Sequence, residues 1–392
     1  MSHAPPSHPS TAHVTTVPIS RPLRILLVAA LAVAALGASR TPAHAARGME
    51  VALQDDSSFV SQIGLKRKKA LAFAATLHVT RLRVNIPWVA VVNKAHSSRR
   101  PKKRHYDFTS YDALFNKARA KGIRLQLTIS GFAPAWATGN GQVGCYRMKL
   151  KYFKEFARAV AKHFGHHIDR YSIWNEPNYK AWNSPLSDAA SMYRKMYAAA
   201  YSEIRKYDPK AKILFGETAP YGQPGRSISP LKFLRDVFRG GKLKADGYAH
   251  HPYDYHHAPN AHGPHNDNAA LNNIRNLTDE LDKLAKSGKL TTPAGRPLDL
   301  YLTEYGYMAS GKYKKPDKLR AKYLPKAFQM ALENPRVREM TQYLLVPPPP
   351  HSDFFDTSII TKKGKETKPF RALAAWTTLQ AKHHRIALPA KF

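Results

Sequence analysis

From Gly48 onward, stretches with strand character alternate with stretches of helical character, and this alternation constrains the fold more than any single residue does. Strands are expected at Glu50–Asp56, Val79–Trp88, Ile123–Ser130, Lys212–Thr218, Asp246–Tyr253, Leu298–Glu304 and Met340–Val346, with a short buried one opening at Tyr171. Helices are expected at Phe59–Thr76, Tyr111–Lys121, Leu150–Phe164, Asp188–Lys206, Leu231–Phe238, Ala269–Ser287, Pro316–Glu333 (interrupted by Pro325) and Lys368–Gln380. Gly122, Gly165 and Gly288 stand where helix C-caps need glycine. Strands that alternate with helices make βαβ units and a parallel sheet.

Three of these strands bring a glutamate to or next to their end. Tyr171-Ser172-Ile173-Trp174-Asn175-Glu176-Pro177-Asn178 is a strand stopped by a residue without a donor. Pro177 also disfavours the helical region for the residue before it, so Glu176 is expected to be extended. Neighbouring strand residues face opposite sides, so Asn175 and Glu176 share one pocket only if the chain kinks or stops there. Leu300-Tyr301-Leu302-Thr303-Glu304-Tyr305-Gly306-Tyr307 presents a second glutamate, and Lys212–Thr218 brings Glu217 to its end. Arg81, Arg83 and Asn85 share one face of their strand by the period of two. Trp136 and Trp182 stand in loops where an indole face serves either as a sugar platform or as packing.

Trp174-Asn175-Glu176-Pro177-Asn178 together with the Glu304 motif resembles the clan A retaining glycoside hydrolases, in the manner of families 5 and 39. The resemblance covers about residues 49–381 and implies an α/β fold, a single (β/α)8 TIM barrel occupying 49–392. It implies Glu176 as general acid/base, Glu304 as nucleophile and Asn175 as a ligand of the sugar 2-hydroxyl. By the same resemblance Arg83 holds the nucleophile, with Arg81 as a close rival, and His251 and Tyr253 orient it. Glu217 is the rival acid, retained as a substrate-binding or loop-orienting residue. Glu176 then protonates the leaving oxygen and later activates water, and no metal or organic cofactor takes part. Many clan members carry a tryptophan after strand 8. Here Pro347–Pro350 follow, and Phe354 or Phe355 is the candidate substitute.

Composition narrows the partners. Lys+Arg 62 against Asp+Glu 27 gives a net charge of +35, which suits a solvated basic surface, an acidic polysaccharide or an anionic cell envelope. No basic-aromatic or zinc-finger pattern points to nucleic acid. Cys145 is the only cysteine, so no intrachain disulfide forms. His250, His251, His256, His257, His262 and His265 crowd one region, but without helix-borne metal-ligand spacing they are read as metal-free. A 12-residue apolar run, Ile25 to Leu36, followed by Ala43-His44-Ala45, reads as a secretory signal peptide over 1–45 cut after Ala45, with an uncleaved anchor as the competing reading. The expectation is a secreted, monomeric glycosidase acting on a carbohydrate. The alternatives are a barrel that binds glycans without turnover, or a transglycosylase with the same glutamates.

Overall fold

The structure, a computed structural model, describes residues 48–261, 266–349 and 355–392. Eight parallel strands close into a barrel: β1 (Glu50–Gln54), β2 (Arg81–Pro87), β3 (Arg124–Ser130), β4 (Arg170–Ile173), β5 (Lys212–Thr218), β6 (Gly247–His250), β7 (Leu300–Tyr305) and β8 (Val337–Tyr343). Each pairs with its sequence neighbour, and β8 returns to β1 with Glu50 opposite Glu339. A helix follows every strand: α1 (Arg67–Thr76), α2 (Thr109–Arg119), α3 (Leu150–Phe164), α4 (Ala189–Tyr207), α5 (Pro230–Val237), α6 (Arg275–Lys286), α7 (Asp317–Glu333) and α8 (Lys368–Lys382). This is a (β/α)8 barrel. Among the described residues no helix is long and apolar enough to cross a membrane. The expected signal peptide lies outside the described residues.

The helices bury one face each. In α3, Phe153, Phe156, Ala157, Val160, Ala161 and Phe164 recur at helical spacing, and all are buried. Trp88 lies flat on Phe156 with centroids 5.2 Å apart, fastening the turn after β2 to that helix.

Three expectations are corrected. β8 begins at Val337, three residues before the expected Met340. Arg338 and Glu339 disguised its start, because the inward Glu339 is fully buried and pairs with Arg170. The apolar Leu344-Leu345-Val346 lies beyond the strand, where Asp55 accepts the backbone N–H groups of Leu345 at 3.1 Å and Val346 at 2.9 Å. Pro325 does not interrupt α7, which runs unbroken to Glu333. Buried Leu324, Ala327, Phe328 and Ala331 anchor α7 on both sides of the missing N–H. The first helix starts at Arg67, because Gln62 takes φ +58 and turns the chain.

The N-terminal end of the barrel is filled by ions. Arg81 Nη2 meets Glu50 at 2.8 Å and its Nη1 meets Asp169 at 2.7 Å. Arg170 Nη2 reaches the other Glu50 oxygen at 2.6 Å. Burial alone would raise the Glu50 pKa, but the charges of Arg170 and Arg81 bring it down to about 2. Removing Arg81 leaves the fully buried Glu339 and the mostly buried Glu50 short of a cation. Arg81→Met is therefore expected to cost about 3–5 kcal/mol, read as a lower urea midpoint at unchanged m-value. A loss below about 1 kcal/mol would show that water reaches this layer.

Candidate active site

The C-terminal ends of β1, β2, β4, β5 and β7 converge on one cluster. β4 stops at Ile173, and the next residues leave the strand conformation. Trp174 takes φ +67 and Glu176 φ +38, both in the region that side chains rarely adopt. Glu176 is therefore not extended as Pro177 led us to expect. The two left-handed residues flank Asn175 and supply the kink that lets Asn175 and Glu176 share one pocket. The turn is pinned by bonds from Trp174 N to Ile129 O (2.8 Å) and from Glu176 N to Glu217 O (2.9 Å). The Trp174 ring fills the space over Gly131, where an added Cβ would lie 2.7 Å from Cζ2. Asn178 closes the motif, accepting from Ala219 N (2.9 Å) and donating to Ile228 O (2.8 Å).

Arg83 is the hub. Its Nη1 donates to Glu304 Oε1 at 2.6 Å and also to Gln54. Its Nη2 donates to Glu217 Oε2 at 2.9 Å and to Asn175 Oδ1 at 3.1 Å. Tyr253 donates its hydroxyl to the other Glu304 oxygen at 3.1 Å. Glu217 also accepts from Thr303 at 2.7 Å and from His251 Nε2 at 2.8 Å. Burial works against a charge on Glu217, but Arg83 and the bond from His251 override it and hold the carboxyl at about 2. His251 Nδ1 lies 3.1 Å from Glu176 Oε1 and 3.6 Å from Glu304 Oε2. Burial opposes its protonation, yet the charge of Glu304 and the bonds to Glu176 and Glu217 lift its pKa to about 9.

One donor atom each from Glu176, His251 and Glu304 lie within 4.8 Å of one another. This trio has the composition of a metal site. Both imidazole nitrogens also face carboxylates, Nδ1 toward Glu176 and Nε2 toward Glu217, an arrangement that equally suits a shared proton. The histidine-rich stretch divides accordingly. His250 is fully buried, donating from Nε2 to Ala269 O at 2.8 Å, and burial lowers its pKa to about 3. His256 and His257 attach to Asp254, while His262 and His265 lie outside the described residues.

The sequence-derived residues separate into three groups. Glu176, Glu304, Asn175, Arg83, His251 and Tyr253 meet in the cluster. Trp182 is half-buried and stacked on Phe132 at 5.2 Å, leaving Phe132 40% exposed. Two residues are corrected as substrate ligands. Trp136 is 1% exposed and packs edge-on against Trp88, so it offers no open face. Glu217 is fully buried and bonds to Arg83 and His251, so no face of it is open to a substrate. Arg81 belongs to the opposite end of the barrel. Phe355 packs edge-on to Tyr253 at 4.9 Å and takes its place in the pocket wall, whereas Phe354 lies outside the described residues. Gln54 and Thr303 were missed. The register Leu53 to Leu82 already sets Gln54 beside Arg83, an inward amide that strand pairing would have disclosed.

Comparison with known proteins agrees with this geometry. A model of Glycosyl hydrolase family 1 matches residues 60–201, the segment that carries Arg83, Asn175 and Glu176. No curated protein matches the sequence significantly. In fold the chain is similar to a family 39 glycoside hydrolase from Bacteroides cellulosilyticus WH2, with TM-score 0.62, 19% identity, 85% of this chain and 64% of that one covered. It is also similar to a glucosidase from Croceicoccus marinus (TM-score 0.63, 15% identity, 85% and 68% covered). A third likeness is to xylanase 10B from Thermotoga petrophila RKU-1 in complex with xylobiose (TM-score 0.56, 15% identity, 85% and 95% covered). The chain thus spans a little under two thirds of the family 39 structure. These likenesses show a shared barrel fold.

The charge on His251 sets a pH dependence. Its folded pKa of about 9 lies above the ordinary 6.5, so its stabilisation is fully present below pH 6.5 and disappears as pH rises through about 9. Stability should fall by on the order of 3 kcal/mol across that window, and His251→Gln should flatten it. An unchanged slope in the variant, measured by urea titration at several pH values, would contradict a charged His251.

Proposed function

We propose that this protein is a secreted retaining glycosidase that cleaves O-glycosidic bonds by double displacement, with Glu304 as nucleophile and Glu176 as acid/base. The observation that carries the reading is that one carboxylate oxygen of Glu176, in the turn after β4, and one of Glu304, on β7, lie within 4.8 Å of each other. Retaining enzymes separate these groups by roughly 5–5.5 Å, whereas inverting ones leave about 6.5–9.5 Å for a water. Signal-like residues 25–45 support secretion.

The charges balance along this route. In the resting site Arg83 and His251 are cationic, Glu217 and Glu304 are anionic, and Glu176 carries the transferable proton. Glu304 attacks the anomeric carbon as the bond to the leaving oxygen breaks, and Glu176 gives its proton to that oxygen. The negative charge has then moved from Glu304, now an ester, to Glu176. His251 Nδ1 is close to both, so the imidazolium faces the charge before and after the step without moving. Water then loses a proton to Glu176, attacks the same carbon and frees Glu304. Glu217 and Arg83 keep their charges throughout. Asn175, held by Arg83, is placed to bind a hydroxyl of the sugar beside the bond being broken.

The test separates the two glutamates. Glu176→Ala should lose roughly 10²–10⁴ in turnover on substrates with alkoxide leaving groups but still react with activated aryl glycosides. Azide should then rescue turnover and give a glycosyl azide of the substrate's own anomeric configuration. An inverted azide, or equal losses on good and poor leaving groups, would remove Glu176 from this role.

A further inference from the structure

A ladder of stacked tyrosines runs from the nucleophile to the rim of the barrel. Tyr253, bonded to Glu304, stacks on Tyr255 at 5.8 Å, and Tyr255 stacks on Tyr313 at 5.7 Å. Tyr313 is 36% exposed, and two cations stand beside it: Arg226 from the loop after β5 and Lys312 from its own loop, the latter 5.6 Å from the ring. Arg226 also reaches the acid/base side. Its Nη2 donates to the Tyr179 hydroxyl at 3.3 Å, and Tyr179 N bonds back to Glu176 O at 2.8 Å. Lys180, the next residue, is exposed and bonds through its backbone N to Arg226 O at 2.8 Å.

Elsewhere on this basic molecule most acids are paired with arginine or lysine. Among the described residues neither Arg226, Lys180 nor Lys312 has a carboxylate partner. The side-chain partner of Arg226 is a neutral phenol, which leaves most of its five donors free for a planar anion. Arg226 is held in place by Tyr179, so less side-chain freedom is lost when it binds.

We propose that the rim formed by Arg226, Lys180 and Lys312 binds an anionic group, a uronate carboxylate or a sulfate ester, on the leaving-group side of the saccharide substrate. The side follows from the glycosidase reading, on which this inference rests: the group on Glu176 that protonates the leaving oxygen belongs to the same loop as Tyr179 and Lys180. The exposed edge of the Trp182–Phe132 stack, on the loops after β4 and β3, offers the apolar contact a sugar ring needs beside that charge.

Binding of tetrasaccharides by the full-length protein tests this without requiring turnover. The probes are chondroitin tetrasaccharides with and without sulfate, and neutral N-acetylchitotetraose. The acidic probes should bind at least about tenfold more tightly than the neutral one at low salt, an advantage that shrinks as salt is raised. Arg226→Gln should remove about tenfold of acidic affinity while leaving neutral affinity within about twofold. Arg239→Gln, which deletes the same charge beyond the far end of α5, should change neither. Dependence on the sulfate would identify a sulfate ester as the group bound, and indifference to it would identify the carboxylate. Either result supports the proposal. It is overturned if acidic and neutral probes bind equally, or if Arg226→Gln loses no more than Arg239→Gln. Cleavage of neutral glycosides with no acidic preference would leave the glycosidase reading intact. Arg226-dependent binding without cleavage of any glycoside would instead sink that reading alone.

Discussion

A guanidinium buried in a barrel lumen is the constraint on which the site depends. Arg83 has no exposed surface, and an unpaired charge there would cost several kcal/mol. It is tolerable only because Glu217 and Glu304 sit 2.9 Å and 2.6 Å away and the amides of Gln54 and Asn175 bond to the same two terminal nitrogens. Those partners come from four strand ends, so satisfying one cation on β2 fixes the positions of β1, β4, β5 and β7 relative to it. Burial and attraction work in opposite directions on Arg83, Glu217 and His251. For Glu217 and His251 attraction prevails, giving an anion at about 2 and a cation at about 9.

Two glutamates therefore meet the same arginine and differ in what else they touch. Glu217 is sealed, its Oε2 taken by Arg83, His251 and Thr303 together. Glu304 keeps about a tenth of its side chain open and faces Glu176. On the proposed route Glu304 gains and loses a covalent bond while Glu217 stays charged and so keeps Arg83 and His251 compensated. The barrel's other end uses the same chemistry for another purpose. Arg81 and Arg170 are paired there with Glu50, Glu339 and Asp169, which leaves none of these acids without a cation.

Much of this was legible in the sequence because strand and helix periods are local properties. β5 and α3 match their expected bounds, since Lys212–Thr218 and Leu150–Phe164 carry unmixed patterns. β8 was displaced because Glu339 looks like a surface acid until Arg170 is known to lie across the lumen. The same long-range pairing separates Arg83 from Arg81, which share one face of β2 and differ in their neighbours. The conformation of Glu176 was not legible: Pro177 argues for an extended residue, and only the bond from Glu176 N to Glu217 O reveals why it is turned. Trp136 was ambiguous because an indole in a loop looks the same whether it faces sugar or Trp88.

The central claim is that Glu304, and not Glu217, which bonds to the same arginine, forms the covalent bond. Incubating the protein with an activated 2-deoxy-2-fluoro glycoside, which slows breakdown of the intermediate more than its formation, should add one fluoroglycosyl mass per chain. Peptide mapping should place it on Glu304, within Leu300–Tyr307. A label on Glu217, or turnover of the parent glycoside with no covalent adduct and an inverted product, would contradict the account.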